Sequence, residues 1–191
     1  WWSPSPRAVI APGDIHISRS LRKTLKKAPF TVSADTDFRG VMLACAESRG
    51  STDGVDPGTW ITEEMIDAYC NLHQLGIAHS IESWRGDELV GGLYGVAMGR
   101  VFYGESMFSR ATDASKVAFA HLARQLDAWG YELIDCQVSS SHIHSLGARE
   151  ITRAQFQQLL VDYIEDTDAA DAPYPGAGPW TLDAANWTLN P

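Results

Sequence analysis

Apolar positions along the chain follow two periods, and the switches between them mark out its elements. In "IHISRSLRKTLKKA", Ile15, Ile17, Leu21 and Leu25 recur at near-helical spacing with cations between them, so a helix is predicted there. "DFRGVMLACAE" predicts a second helix. "SRGSTDGVDPG" has loop composition and enough length to be an insertion. "TEEMIDAYCNLHQLG" predicts a third helix, with Thr62 as its N-cap, Glu63 and Glu64 in the first turn and Gly76 as its stop. The period then shortens. "AHSIESW", the turn "RGD", "ELVGGLYGVAM", the turn "GR" and "VFYGESMF" predict an antiparallel three-strand meander. Asp113 is expected to cap a long helix, "ASKVAFAHLARQLDAW", closed by Gly130. "YELIDCQV" follows as a buried strand, and a last helix is expected from Thr152. "SPSPRAVIAPGD" is read as Pro-rich connecting chain, and the acidic Pro/Gly-rich stretch from about 167 as a poorly ordered tail.

One predicted strand ends oddly. Val101, Phe102 and Tyr103 run into Gly104 and Glu105, with Met107 and Phe108 directly behind. A glycine in a strand often marks a bulge or a close backbone approach. A carboxylate beside apolar side chains is paired, protonated, or set to receive a cation. Arg110 or Lys116 is the ordinary structural partner; a cationic ligand is the functional one.

Composition narrows the field. With 191 residues, 45% hydrophobic, the chain can bury one good core. No run of eighteen apolar residues exists, so no membrane span is expected. Cys45, Cys70 and Cys136 make an odd set without a C-x-x-C, which suits a reducing, cytoplasmic setting. The net charge of −9 is uneven. Arg7, Arg19, Arg22, Lys23, Lys26 and Lys27 face only Asp14 in the first 27 residues, whereas acids dominate from Glu150 onward. One basic segment on an acidic protein fits docking of a single phosphate backbone; a solvated lysine-rich helix face is the plainer alternative. His142 and His144 form an H-x-H with no third ligand at a telling spacing, so no metal is expected. "GGLYGVAMG" lies inside strands and not at a strand–helix junction, so it is no nucleotide loop.

Helix, helix, three antiparallel strands, long helix, strand, helix is an α+β order. It is similar to the GNAT acyltransferase topology, a mixed, mainly antiparallel sheet flanked by helices. In that fold a glycine-rich strand–helix turn cradles a coenzyme A pyrophosphate. The junction here, "FSRATDASK", has no glycine, which points to a different acyl carrier. Eight blocks then occur in order across nearly the whole chain: "WWSPSPR", "HISRS", "GTWIT", "YGVAMG", "FYGESMFSR", "ASKVAF", "LIDCQV" and "SLGAREI". Together they resemble the bacterial leucyl/phenylalanyl-tRNA–protein transferases. The resemblance implies transfer of leucine or phenylalanine, with methionine a third candidate, from aminoacyl-tRNA onto proteins with N-terminal arginine or lysine. The product carries a signal for degradation by the N-end rule pathway. A cytoplasmic monomer with no organic cofactor and no metal is expected. The family has a small N-terminal domain ahead of "WWSP", so residues 1–12 are taken as its remnant or linker and 13–191 as the GNAT-like domain. The loop over 47–58 is longer than the family leads one to expect.

By the same resemblance Glu105 takes the positive end of the acceptor or the polar atoms of the aminoacyl group. Leu93, Phe102, Met107, Leu122, Leu126 and Ile134 form the pocket for the transferred side chain, and Trp60 and Tyr69 lie near the terminal adenosine. Each of these apolar residues also suits a plain core. Arg19, Lys23 and Lys26 are assigned to acceptor-stem phosphates. Asp135 and Gln137 stand two apart in a strand, so they are expected on one face with Cys136 opposite. Attack of an amine on an ester needs positioning, a proton acceptor and support for the oxyanion. Asp135 as acceptor, Asp135 orienting Gln137, and proton transfer through the tRNA ribose hydroxyl all remain open, as does a structural hydrogen-bonded pair. Two rival functions stand beside this one: a CoA-dependent N-acetyltransferase and a non-catalytic tRNA-binding module.

Overall fold

A computed structural model describes residues 4–47, 59–165 and 178–183. Seven strands form one sheet: β1 (Arg7–Ile10), β2 (Thr31–Ala34), β3 (Ala78–Arg85), β4 (Glu88–Met98), β5 (Val101–Ser109), β6 (Leu133–Gln137) and β7 (Arg149–Ile151), in the order β2-β3-β4-β5-β6-β1-β7. Every neighbouring pair is antiparallel except β5 and β6, so the sheet is mixed and mainly antiparallel. The helices are α1 (Arg19–Lys27), α2 (Phe38–Glu47), α3 (Glu63–Gln74), α4 (Ala114–Ala128), α5 (Ser141–Ser145) and α6 (Arg153–Leu160). The α+β class and the predicted meander stand as expected. The turns between its strands use Gly86 and Gly99 at positive φ (59° and 54°), where a side chain would be strained.

Helix α4 covers one face of the sheet. Phe119, Leu122 and Leu126 pack there against Ile81, Leu93, Phe102 and Ile134. Helices α2 and α3 cover the other face, with Phe38, Val41 and Ile66 around Tyr94 and Phe108. Helix α1 lies on α4, its Leu21 and Leu25 meeting Val117 and Ala120. Thr62 caps α3 by accepting from the Met65 amide, and Thr152 opens α6 in a reciprocal capping box with Gln155.

Four expectations need correction. The "connecting chain" contains β1, whose Ala8, Val9 and Ile10 are buried between β6 and β7. "RAVI" is bounded by Pro6 and Pro12 and is too short to show a period. Strands β2 and β7 were missed for the same shortness. Helix α1 begins only after Ser18, whose hydroxyl accepts from the Leu21 amide, so Ile15 and Ile17 precede it. Asp113 stands before α4 at φ 64° and makes no side-chain cap; its carboxylate accepts instead from Thr24 Oγ1 (2.9 Å) and Lys116 Nζ (3.4 Å). Within the supposed tail, 178–183 is packed: Trp180 is buried, stacked on His79 with ring centroids 3.8 Å apart. The loop 48–58 and the rest of the tail lie outside the described residues.

Candidate active site

The parallel pair β5 and β6 stays together for only three residues, Val101–Tyr103 against Leu133–Asp135, and then parts. Where they part, Tyr94 of β4 pairs with Ser106 while Gly95 pairs with Gly104, so Glu105 is the extra residue of a β-bulge. The bulge changes which way β5 faces. Phe102 and Met107 are an odd number of positions apart, yet both pack on the α4 side, while Phe108 turns to α2. An unbroken strand would send Met107 to the opposite face. Gly95 allows the crossing to be tight, since a Cβ there would stand 2.2 Å from the Tyr103 carbonyl oxygen.

The gap is a cavity of about 760 Å³. Leu93, Phe102, Met107 and Ile134 form its apolar walls, Trp60 stands at its edge, and Glu105 and Gln137 supply polar groups. The sequence-predicted residues Leu93, Phe102, Met107, Ile134, Trp60, Glu105 and Gln137 are thereby brought together. Leu122 and Leu126 are fully buried in the core behind the wall; Phe119, one turn earlier on α4, reaches the cavity in their place. Phe119, Cys136, Ser140, His142 and Ile143 were missed. Only the helical phase of α4 and the chain direction after β6 could have pointed to them. Tyr69 stands behind the wall, edge-on to Tyr94 at 5.5 Å, and hydrogen-bonds Glu105.

Glu105 is held above the usual carboxylate range by burial, with hydrogen bonds from Tyr69 and Gln137 opposing that rise. The same burial and the nearby carboxylate push Tyr69 up to about 12, so it remains a donor. Arg110 is taken by Glu47 (2.6 Å) and Lys116 by Asp113, so neither is the partner of Glu105. Among the described residues no cation lies within ion-pair distance of it.

Asp135 lies on the other face of β6. It is 0% exposed and accepts from Arg7 of β1 (Nε to Oδ1 2.9 Å, Nη2 to Oδ2 2.5 Å) and from the Gln137 amide (2.9 Å). Arg7 in turn lies over the Phe156 ring. Gln137 takes φ 60° at the end of β6, breaking the alternation that would put its side chain beside Asp135; Nε2 donates to the Gly104 carbonyl (3.4 Å) across the gap. Asp135 thus ties Arg7 on one side and the Gln137 backbone N–H on the other.

Arg19, Lys23 and Lys26 lie on exposed positions of α1, spaced to share one stripe, with no ion pair among the described residues. The first amides of α4 are engaged: Ala114 donates to the Ala111 carbonyl (3.0 Å) and Ser115 to Ser109 Oγ (3.3 Å). A pyrophosphate would find them already bonded. Asp35, His73 and His79 bring potential metal donors together. However, Asp35 accepts from the Ser80 and Trp180 amides and faces His79 Nδ1 (2.8 Å), while His73 Nδ1 donates to the Ala78 carbonyl (2.8 Å). These atoms are satisfied as a hydrogen-bonded cluster, which does not fit a metal.

The sheet thus opens between two parallel neighbours onto an apolar cavity edged by a carboxylate and an amide, a shape that can seat an acyl group beside polar atoms. The Leucyl/phenylalanyl-tRNA protein transferase family matches residues 9–161. The leucyl/phenylalanyl-tRNA--protein transferase of Nitrosomonas europaea is 60% identical over 160 residues, covering 84% of this chain and 66% of its own length. That of Pseudomonas fluorescens is 54% identical over 180 residues, covering 94% and 74%. The chain thus spans about two thirds to three quarters of these relatives. It belongs to this family of aminoacyltransferases, whose reaction moves an aminoacyl group from tRNA to protein. Among solved structures, a GCN5-related N-acetyltransferase from Kribbella flavida aligns with a TM-score of 0.47 at 14% identity, over 77% of this chain and 55% of that one. L-PGS from Bacillus licheniformis aligns with 0.45 at 12%, over 87% and 55%. No described helix is long and apolar enough to cross a membrane.

Proposed function

We propose that this protein transfers leucine or phenylalanine from aminoacyl-tRNA to proteins whose N-terminal residue is arginine or lysine, marking them for N-end rule degradation. The observation that carries the reading is Glu105: a part-buried carboxylate lining an apolar cavity, held by Tyr69 and Gln137, with no cation within ion-pair distance among the described residues. The cavity walls take the unbranched-at-Cβ side chain of the donor, and Met107 adapts to both a branched aliphatic and a flat ring. Trp60 offers a face on which the terminal adenine stacks. Glu105 takes the acceptor's positive charge, and desolvation at the rim strengthens that pairing. Arg19, Lys23 and Lys26 hold acceptor-stem phosphates.

A reducing, cytoplasmic setting fits the three free cysteines. The engaged amides at the start of α4 disfavour coenzyme A as carrier, and a recessed apolar cavity disfavours a mere tRNA-binding surface. The test is transfer of labelled leucine from its tRNA to peptides that differ only in residue one. Arg- and Lys-initiated peptides should accept the label and an Ala-initiated peptide should not. Equal labelling of all three would remove Glu105 from acceptor choice, and labelling of none would remove the reading.

A further inference from the structure

The histidines of this chain separate by what their rings touch. His144 is fixed at both nitrogens, Nδ1 donating to the Ala148 carbonyl (3.0 Å) and Nε2 accepting from Ser139 Oγ (2.7 Å). His79 sits between Asp35 and the Gly76 carbonyl, and His73 donates to Ala78 while stacked on Phe38. His142, two residues from His144 on α5, is half-buried and lines the cavity, and its ring makes no hydrogen bond among the described residues. Its backbone is held firmly: Ser140 caps α5 by accepting from the Ile143 amide, and Ser145 Oγ donates to the His142 carbonyl. A fixed backbone that carries an unengaged imidazole into a substrate cavity calls for a ligand.

The transfer reaction needs such a group. The acceptor's α-amine forms a C–N bond to the aminoacyl carbonyl, the C–O bond to the ribose 3′ oxygen breaks, and one proton passes from nitrogen to that oxygen. The other polar groups nearby are unsuited to carry it. Asp135 is sealed and already accepts from Arg7 and the Gln137 amide. The Gln137 amide is no base. The Cys136 thiol is pushed up to about 12 by burial and the Asp135 charge. Glu105 is bonded to Tyr69 and Gln137.

We propose that His142 takes the proton from the attacking amine and returns it to the leaving 3′ oxygen. This rests on the transfer reading above. The charged and titratable groups around the ring suit the role: Lys116 from α4, Glu105 and Cys136 across the cavity, and His144 beside it on α5. Burial and then the Lys116 ammonium lower the His142 pKa, so the ring is neutral and able to accept a proton at neutral pH.

The test is single-turnover transfer of labelled leucine to an Arg-initiated peptide, at saturating peptide and over a range of pH, in the parent protein, H142Q and H142A. Loss of a general acid–base should slow the step by about 100-fold or more in both variants, with Leu-tRNA binding and the melting curve of H142Q unchanged. The fall in rate towards acid pH seen in the parent should vanish in both, and added imidazole should restore H142A but not H142Q. Variants that keep the parent rate, or that lose only apparent affinity while retaining the acid limb, would overturn the proposal. Should H142A fail to fold, H142Q alone decides. A parent that moves no leucine would sink the transfer reading, and this proposal with it.

Discussion

Glu105 and Asp135 are both carboxylates of the sheet, and their surroundings give them opposite effects on stability. Burial holds the Glu105 pKa above its unfolded value. Through the pH window just above the ordinary carboxylate range, the native state therefore keeps a proton that the unfolded chain has released. Stability falls as pH rises through that window. Glu105→Gln removes this loss. The variant should melt at or above the parent temperature at neutral pH while its apparent KM for Arg-initiated peptide rises; a lower melting temperature with unchanged KM would reverse the assignment. Asp135 has the contrary role. Replacing it with Asn strips the counter-charge from Arg7, whose side chain is only 12% exposed. Breaking a buried pair from one side costs about 3–5 kcal/mol. Denaturant titration of D135N should show that loss, and transfer should fall with it because one amide oxygen cannot hold Nε and Nη2 of Arg7 as well as the Gln137 backbone N–H. A variant of parental stability but slow chemistry would place Asp135 in the reaction itself.

Among the elements, α1 divides most cleanly into a packed apolar side and an exposed basic side. Leu21 and Leu25 face α4, while Arg19, Lys23 and Lys26 are exposed and make no ion pair among the described residues. Lys26→Ala should weaken tRNA binding, lower the slope of log affinity against log salt by about one, and leave the choice between leucine and phenylalanine unchanged. An unaltered slope, measured by filter binding at several salt concentrations, would make the stripe ordinary surface. Strand β5 combines core packing and cavity lining in a single element. The bulge at Glu105 puts Phe102 and Met107 on the same face and ends the pairing that would otherwise close the cavity.

Across the whole molecule, the packed segment 178–183 ties a distant stretch of chain to the centre. The Trp180 amide donates to Asp35 (2.6 Å), and its ring meets His79, Trp129, Tyr131 and the cavity wall residue Phe102. Trp180→Ala should cost about 3–5 kcal/mol and lower the melting temperature by on the order of 10 °C. Leucine transfer at a temperature where the variant stays folded should fall as well, because Phe102 loses its backing. An unchanged melt would show that the segment merely rests on the core.

Local pattern alone determined much of this protein. The caps at Thr62 and Thr152, the meander turns at Gly86 and Gly99, and the burial of Leu21 and Leu25 on α1 all depend on residues close in sequence. Alternation and helical period therefore carried them. The odd chemistry of "FYGESMF" was legible too, whereas Leu93, Phe102, Met107 and Ile134 were named by family resemblance and not by spacing. The tertiary structure decided the rest. Strands β1, β2 and β7 have three or four residues each and gain their stability from neighbours far along the chain, so no period betrays them. Asp135 and Gln137 part company because Gln137 leaves the strand at positive φ, and Asp135 meets Arg7 across 128 positions of sequence. Leu122 and Leu126 fall behind the wall while Phe119 reaches it, a matter of how α4 is rotated on the sheet. Which carboxylate is sealed by a cation and which is left open depends on pairings between strands, and sequence spacing does not encode those.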